Sequence, residues 1–260
     1  MDLGLTDRTA FVAASSQGLG FACARSLARE GVAVTLNGRG ADKLAAAGEL
    51  LRHDVPGARV TWVAADLTTG EGRETIIAAV PDVDILVTNN AGPPPGRLDD
   101  WDELALVEAL RANMVPAVQL MRAYIPGMRA RRFGRIVNIT SAMVKSPAYE
   151  MGLSTSARAA LTAISKAISN DVASDNVTVN NLLPERFDTP RQEFMAQRMM
   201  AAQGIDRDEA RRRIASTIAA KRLGRPEEFG DACAFLCSAQ AGYISGQNLQ
   251  LDGGSYGGLV

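Results

Sequence analysis

RTAFVAASSQGLGFACARSLAREGVAV, residues 8–34, decides the fold. Thr9 to Ala14 is apolar and partly β-branched, Ser15 to Gly20 is a small-residue turn, and Phe21 to Glu30 carries helical spacing before Gly31 stops it; a second apolar run opens at Val32. Strand, glycine turn and helix make half of a nucleotide site. Gly18 and Gly20 let the backbone come close to a pyrophosphate, whose charge meets the free amides and positive end of the following helix. Taken alone, the same glycines also read as turn punctuation.

Outward from this unit, apolar runs keep alternating with helical patterns. Strands are expected at Val32–Asn37, Arg59–Ala64, Asp84–Thr88, Arg135–Thr140, Val177–Leu183 and Asn248–Leu251. Helices are expected at Ala41–Arg52, Thr69–Ala79, Leu153–Ala173 and Pro226–Ser238, with a long helical region Asp99–Met128 softened at Pro116 and Pro126. Seven strands alternating with helices require right-handed crossovers. They predict an α/β, Rossmann-like, doubly wound, seven-stranded parallel sheet with helices on both faces. Ligands in such sheets sit beyond the carboxyl ends of the strands.

Composition agrees with that class. Hydrophobic residues make up 47% of the 260 residues but aromatics only 5%, so the core must be built of Ala, Val, Leu and Ile, which suits parallel strands under helices. No linker divides the chain, and residues 1–260 read as one dinucleotide-binding domain. A net charge of −1 argues against nucleic acid or a membrane surface as partner. No secretory signal and no apolar run near the ~18 residues of a spanning helix are evident, which points to the cytoplasm. Cys23, Cys233 and Cys237 are odd in number and read as thiols; with His53 the only histidine, no metal site is expected.

The strand ends carry small or polar residues: Ala13–Gly20, Ala65-Asp66-Leu67, Asn89-Asn90-Ala91-Gly92 and Asn138-Ile139-Thr140-Ser141. With Gly134-Arg135-Ile136-Val137-Asn138, Ala159-Ala160-Leu161 and the closing Asp252-Gly253-Gly254, these resemble the short-chain dehydrogenase/reductases from about Leu5 to Gly254. The resemblance implies an NADP- or NAD-dependent oxidoreductase acting on a small-molecule carbonyl or alcohol. It places Ser15, Gly18, Leu19 and Gly20 at the pyrophosphate turn, with Ala14 where the family has its first glycine. Asp66 and Leu67 would edge the adenine, and Asn90, Ala91 and Gly92 would line the adenosine side; Asp66 also reads as a helix N-cap before Thr69. Pro184, the backbone near Phe187 and the Thr189 hydroxyl would hold the nicotinamide carboxamide, with Glu185 standing where the family has glycine. Arg39 ends the second strand where an NAD enzyme would place a carboxylate. A guanidinium there favours the 2′-phosphate of NADP, with an exposed turn arginine as the other view.

The family's chemistry uses an Asn, a Ser, a Tyr thirteen residues on and a Lys four beyond. By that resemblance Asn113 and Ser141 match, whereas the Tyr and Lys positions fall on Ser154 and Arg158. An aliphatic hydroxyl is a far weaker acid than a phenol of pKa about 10. A guanidinium does not relay protons, although Arg158 could still bind cofactor ribose hydroxyls. Three readings follow: Tyr149 serves as an alternative acid; Ser141, Ser154, Arg158 and a water chain from Asn113 stabilise an oxyanion, in hydride transfer or another proton transfer; or the chain is a nucleotide-binding regulatory module without hydride chemistry. Residues 190–220 would form a substrate lid. Met195, Met199 and Met200, with Met143 and Met151, either line an apolar pocket there or pack as core. The family's habit implies a homotetramer through the long helices and the last helix and strand, with the Tyr256–Val260 tail available to a neighbouring subunit.

Overall fold

The computed structural model describes residues 1–259; Val260, the last residue of the tail read above as a subunit contact, lies outside them. In chain order the elements are β1 (Thr9–Val12), α1 (Gly18–Arg29), β2 (Ala33–Gly38), α2 (Ala41–Asp54), β3 (Val60–Ala64), α3 (Gly70–Ala79) and β4 (Ile85–Thr88). There follow α4 (Glu103–Asn113), α5 (Val115–Arg131), β5 (Gly134–Ile139), α6 (Gly152–Val172), β6 (Val177–Pro184), α7 (Pro190–Gln203), α8 (Arg207–Ser216), α9 (Pro226–Cys237) and β7 (Asn248–Leu251). The strands form one sheet in the order β3-β2-β1-β4-β5-β6-β7, every neighbouring pair parallel. This is the expected doubly wound architecture. Its direction of winding reverses between β1 and β4, so the loops leaving those strands flank an open crevice.

Two apolar layers hold the helices to the sheet. On one face Val12, Val34, Leu36, Val87 and Val137 meet Cys23 and Leu27 of α1, Leu44 and Leu51 of α2, and Phe229 and Cys233 of α9. On the other, Phe11, Leu86, Ile136 and Val179 meet Ile76 of α3, Leu120, Met121, Tyr124 and Met128 of α5, and Leu161 and Val172 of α6. Helix α1 lies so close to α9 that a Cβ built on Gly230 would stand 2.4 Å from the Ala22 carbonyl oxygen. The three cysteines are free thiols, all fully buried.

Three points differ from the sequence reading. Helix α1 starts at Gly18 rather than Phe21, so the glycines form its first turn. The long region Asp99–Met128 is divided at Met114; Pro116 sits near the start of α5, where a missing N–H costs nothing, and Pro126 lies inside α5 without ending it. The expectation of no spanning-length apolar helix is also corrected, since Glu103–Arg131 is long and apolar enough by length and composition. Its α5 half buries Leu120, Met121, Tyr124 and Met128 against the sheet, whereas α4 leaves Leu104, Leu106, Val107 and Leu110 exposed.

At the start of α9, Glu228 accepts from the Arg225 amide at 2.8 Å and from both terminal nitrogens of Arg222 at 2.8 Å. The Arg222 contacts, then the Arg225 amide, hold its carboxyl at about 2 against an ordinary 4.5. A lowered carboxyl stabilises the fold fully above its unfolded value, and loses that contribution as pH falls from 4.5 through about 2. Glu228→Gln should therefore lower Tm at about pH 7, with the deficit narrowing towards about pH 3, as followed by circular dichroism. A deficit independent of pH would assign the cap no ionic role.

Candidate active site

The turn between β1 and α1 is clamped from both sides by amide side chains. The Asn37 oxygen accepts from the Ala14 amide at 3.3 Å, while its nitrogen donates to the carbonyls of Val63 at 3.1 Å and Ala65 at 3.2 Å. From β4's end, Asn89 donates to the Ala14 carbonyl at 3.1 Å. Ser15 turns its hydroxyl inward, donating to the Val12 carbonyl at 2.6 Å and accepting from the Asn37 amide at 3.0 Å, and its own amide donates to the Asn37 carbonyl at 2.8 Å, so neither its hydroxyl nor its N–H is left for a phosphate. Neither Asn37 nor Asn89 was singled out from sequence as a turn clamp. The signal available was an amide side chain ending an otherwise apolar strand, which needs partners when buried.

This clamp holds Ala14 at φ 45°, in the left-handed region where a Cβ is costly. Gly18, at φ 65°, has open space where a side chain would stand; Gly20 has none, because a Cβ there would lie 2.6 Å from the Ala14 oxygen. No side chain caps α1, and its first turn holds no acidic residue. Its amides are thus left for an anion, and a dinucleotide pyrophosphate fits this cradle. Leu19 packs partly against the core beneath.

Beyond β2, Arg39 is exposed and acts through space on Asp66 beyond β3. Asp66 accepts from the Thr68 amide at 2.9 Å and the Thr68 hydroxyl at 2.7 Å; these contacts first, and Arg39 last, lower its pKa. The N-cap reading of Asp66 is corrected: Thr69 caps α3, its hydroxyl accepting from the Gly72 amide at 3.0 Å. Leu67 is buried, and its carbonyl accepts from Arg73 at 3.0 Å.

At the ends of β4 and β5 a second cluster assembles. Asn90 donates to the Ala112 carbonyl at 2.6 Å and so ties the loop to the last turn of α4, where Asn113 is buried. A small cavity is lined by Asn89, Asn90 and Asn113 together. Ala91 is exposed at this edge. Ser141 accepts from the Met143 amide at 3.2 Å, which leaves its own proton to donate. Ser154 is buried in the first turn of α6, and Arg158 lies one turn later on the same face. Arg158 donates to the Ser154 oxygen, to the Thr140 carbonyl at 3.1 Å and to the Asn90 carbonyl at 3.4 Å. A Cβ on Gly92 would stand 3.0 Å from this guanidinium and 3.2 Å from the Ser154 hydroxyl. Desolvation first, then the charge of Arg191, lowers Arg158 to about 10, so it is still a cation at neutral pH.

Tyr149 is not brought into this cluster. It is 62% exposed, its hydroxyl accepts from the Leu98 amide at 3.3 Å, and its ring rests on Trp101 at 5.6 Å. After Pro184, Glu185 pairs with Arg186 at 3.6 Å, and the Phe187 ring is buried edge-on against Phe229 at 5.3 Å. Thr189 donates to the Phe187 carbonyl at 3.4 Å and precedes Pro190 at the start of α7. Helices α7 and α8 form a pair with its own small core of Ala196, Ala210 and Ile214, in which Met199 and Met200 pack. For those two methionines the packing alternative is the one found. A groove of about 430 Å³ lies elsewhere, at the amino ends of β1, β2 and β3 beside Arg59 and Asp82.

Residues 13–256 match the family model described as Enoyl-(Acyl carrier protein) reductase. The NADPH-dependent reductase BacG of Bacillus subtilis is 32% identical over 255 residues, covering 96% of this chain and 98% of that protein. Dehydrogenase/reductase SDR family member 4 of Bos taurus is 32% identical over 257 residues, covering 96% and 88%. L-sorbose reductase from Gluconobacter frateurii, solved in complex with NADPH and L-sorbose, superposes with a TM-score of 0.94 at 32% identity over 100% of both chains. The chain belongs to the short-chain dehydrogenase/reductase family.

The strained alanine makes a direct test. Ala14→Gly should stabilise the fold by about 0.5–1 kcal/mol, the relief of the left-handed Cβ less the entropy of a more flexible unfolded chain. Gly20→Ala should cost about 1–3 kcal/mol, as overpacking against backbone does. Urea denaturation reads both, and a loss from Ala14→Gly would show that the clamp imposes no strain.

Proposed function

We propose that this chain is an NADPH-dependent reductase of a small-molecule carbonyl compound, in which Ser141, Ser154 and Arg158 hold the substrate oxygen. The observation that carries the reading is the Arg158 guanidinium. It is desolvated and partly exposed at the strand ends, bonded to a serine hydroxyl and two carbonyls, and without a carboxylate at ion-pair distance among the described residues. An anionic or strongly polarised oxygen completes such a site, at a point where electrostatic stabilisation is worth most. The relatives named above add support, because both the Bacillus reductase and the sorbose reductase are described with NADPH.

In this reading Gly18, Leu19 and Gly20 receive the pyrophosphate, with Ser15 holding the turn in place from beneath. Asp66 and Leu67 flank the adenine, and Asn90, Ala91 and Gly92 line the adenosine side. Pro184, the backbone of Phe187 and the Thr189 hydroxyl meet the carboxamide. Arg39 takes the 2′-phosphate, which favours NADP over NAD. When bound, the nicotinamide supplies a hydride. Ser141 donates its free proton to the substrate oxygen; Ser154, its lone pair engaged by Arg158, donates likewise as a better-polarised hydroxyl; Arg158 balances the charge that develops. Ser154 and Arg158 would then stand where the family has Tyr and Lys. Asn113 would hold water near Asn90, while the outward Tyr149 does not favour an acid role. A second reading, a nucleotide-binding module without hydride chemistry, draws on the same missing acid.

The assembly part of the proposal is a homotetramer in the cytoplasm, supported by the exposed apolar face of α4 and by Phe235 and Leu249 at the other edge. The single domain carries residues 190–220 as a lid over the substrate. Sedimentation should show four copies per particle; a monomer would overturn the assembly reading.

Two experiments test the activity. Arg39→Ala should weaken NADPH by roughly 10–100-fold in a fluorescence titration and leave NADH unchanged. Equal weakening of both would remove the 2′-phosphate role. NADPH oxidation on a carbonyl panel should be seen with the natural protein, while turnover confined to a Ser154→Tyr, Arg158→Lys double variant would favour the binding-module reading.

A further inference from the structure

Helix α6 brings Ser154 and Arg158 to the oxygen site, yet its own sequence determines its start only weakly. Met151 stands at the N-cap with no side-chain hydrogen bond among the described residues, and the first turn carries no acidic side chain. The polar anchor at Ser165 lies about three turns downstream of Ser154. The place of that first turn therefore depends on what packs against it. Gly152, its first residue, lies on the Trp101 ring: a Cβ built there would stand 2.5 Å from Cζ2 and 2.9 Å from Cζ3. Leu153 and Ala157 of α6 meet Ala109 of α4, and Trp101 packs on the same cluster. At the other edge of the indole, a Cβ on Gly96 would stand 3.3 Å from Nε1.

Trp101 is itself well held. It precedes Asp102, whose carboxylate caps α4 by accepting from the Ala105 amide at 2.8 Å, and its own amide donates to the Leu98 carbonyl at 3.1 Å. The loop that carries it is stitched to the approach of α6, the Gly96 amide donating to the Glu150 carbonyl at 2.9 Å and the Leu98 amide to the Tyr149 hydroxyl at 3.3 Å. Between Gly92 and Gly96 run three prolines, which fix φ and favour a stiff, extended segment. One loop thus meets α6 twice: at Gly92, against the Ser154–Arg158 pair, and at Trp101, against Gly152. The indole N–H is buried and meets no hydrogen-bond partner among the described residues, so the contribution of Trp101 lies in the ring rather than in the donor.

We propose that Trp101 is a positioning residue for the oxygen site: its ring seats Gly152 and fixes the first turn of α6, while the proline segment holds Gly92 against Ser154 and Arg158. The inference rests on the reductase reading above, in that it takes those two side chains to hold the substrate oxygen. Trp101 touches neither substrate nor cofactor and acts through the helix. Donors aimed at a developing negative charge lose most of their effect when displaced, a shift of ~1 Å costing up to about 100-fold in rate.

The test compares Trp101→Ala and Gly152→Ala with the natural protein. Gly152→Ala pushes the ring off the helix without opening a cavity, and so serves where Trp101→Ala does not fold. Trp62→Phe, at the other tryptophan, is the control; in that background, biosynthetic replacement of tryptophan by β-(3-benzothienyl)alanine alters position 101 alone, keeping the ring shape and removing the N–H. One readout is kcat and KM of NADPH oxidation on the carbonyl panel. The other needs no turnover: binding of 4-nitrophenolate, an oxyanion followed by its absorbance, with Arg158→Met defining the part bound at the oxygen site. Trp101→Ala and Gly152→Ala should lower kcat roughly 10–100-fold and weaken the phenolate about tenfold, while NADPH affinity by fluorescence is unchanged and both variants melt above the assay temperature. Trp62→Phe and the benzothienyl protein should keep both activities.

Folded variants with unchanged kcat and unchanged phenolate affinity would overturn the proposal, whatever their Tm. A loss in the benzothienyl protein equal to that in Trp101→Ala would show that the N–H is used in place of the seat, and overturn it as well. Equal weakening of NADPH and phenolate would leave Trp101 a purely structural residue. Phenolate weakened by both variants, with no ketone turned over by any protein, would sink the reductase reading and leave the positioning role standing. No Arg158-dependent phenolate binding by the natural protein would remove the oxygen site, and the proposal with it.

Discussion

A parallel sheet covered on both faces must send every strand's carboxyl end to one edge, and the candidate site of this protein is gathered there by that constraint. Six of the seven strands deliver Ala14, Asn37, Ala65, Asn89, Thr140 and Glu185 to the same side of the molecule, although they are spread over most of its length. The backbone groups leaving the strands would be unpaired at that edge. Buried amide side chains meet many of them. Asn37 satisfies groups of the first turn and of the loop after β3, and Asn89 reaches the same turn from β4. The cradle is therefore fixed by the sheet rather than by the glycines alone.

The same logic continues deeper in the sheet. Thr88 donates to Asn138 at 2.6 Å, Asn138 to Ser165 at 3.0 Å and Asn181 at 3.1 Å, and Asn181 to Asn248 at 2.8 Å. This chain of polar groups crosses from β4 to β7 and ties α6 to the sheet through Ser165. Each member is satisfied, so the network sets register at little cost in desolvation. Helix α6 also carries Ser154 and Arg158, two turns or more upstream, and the reach of Arg158 towards Thr140 and Asn90 depends on that anchoring.

Arg158 and Arg135 show how context separates two arginines that lack a carboxylate partner among the described residues. Arg135 is almost fully buried and spends its donors on the carbonyls of Gly134, Asn176 and Ser238, with the Phe133 ring at 4.5 Å; it is a structural knot at the amino end of β5. Arg158 stands at the opposite end of the strands, where loops meet and a second arginine raises the local potential. One cation is consumed by the fold, whereas the other is the one proposed above to meet the substrate oxygen.

The amino-acid sequence by itself determined the fold class, the number of strands and the loops that matter, because hydrophobic period and glycine placement are local properties that survive without knowledge of neighbours. It also placed Ser154 and Arg158 one turn apart on a single helix. Tertiary structure alone decided the partners. It turned Ser15 inward, made Asn37 and Asn89 the clamp, gave the α3 cap to Thr69 rather than Asp66, divided the long helix at Met114 and sent Tyr149 outward onto Trp101. The reason is physical: which carbonyl a buried amide meets, and whether a guanidinium finds a carboxylate, depend on how strands distant in sequence are stacked side by side. No spacing along the chain encodes that distance.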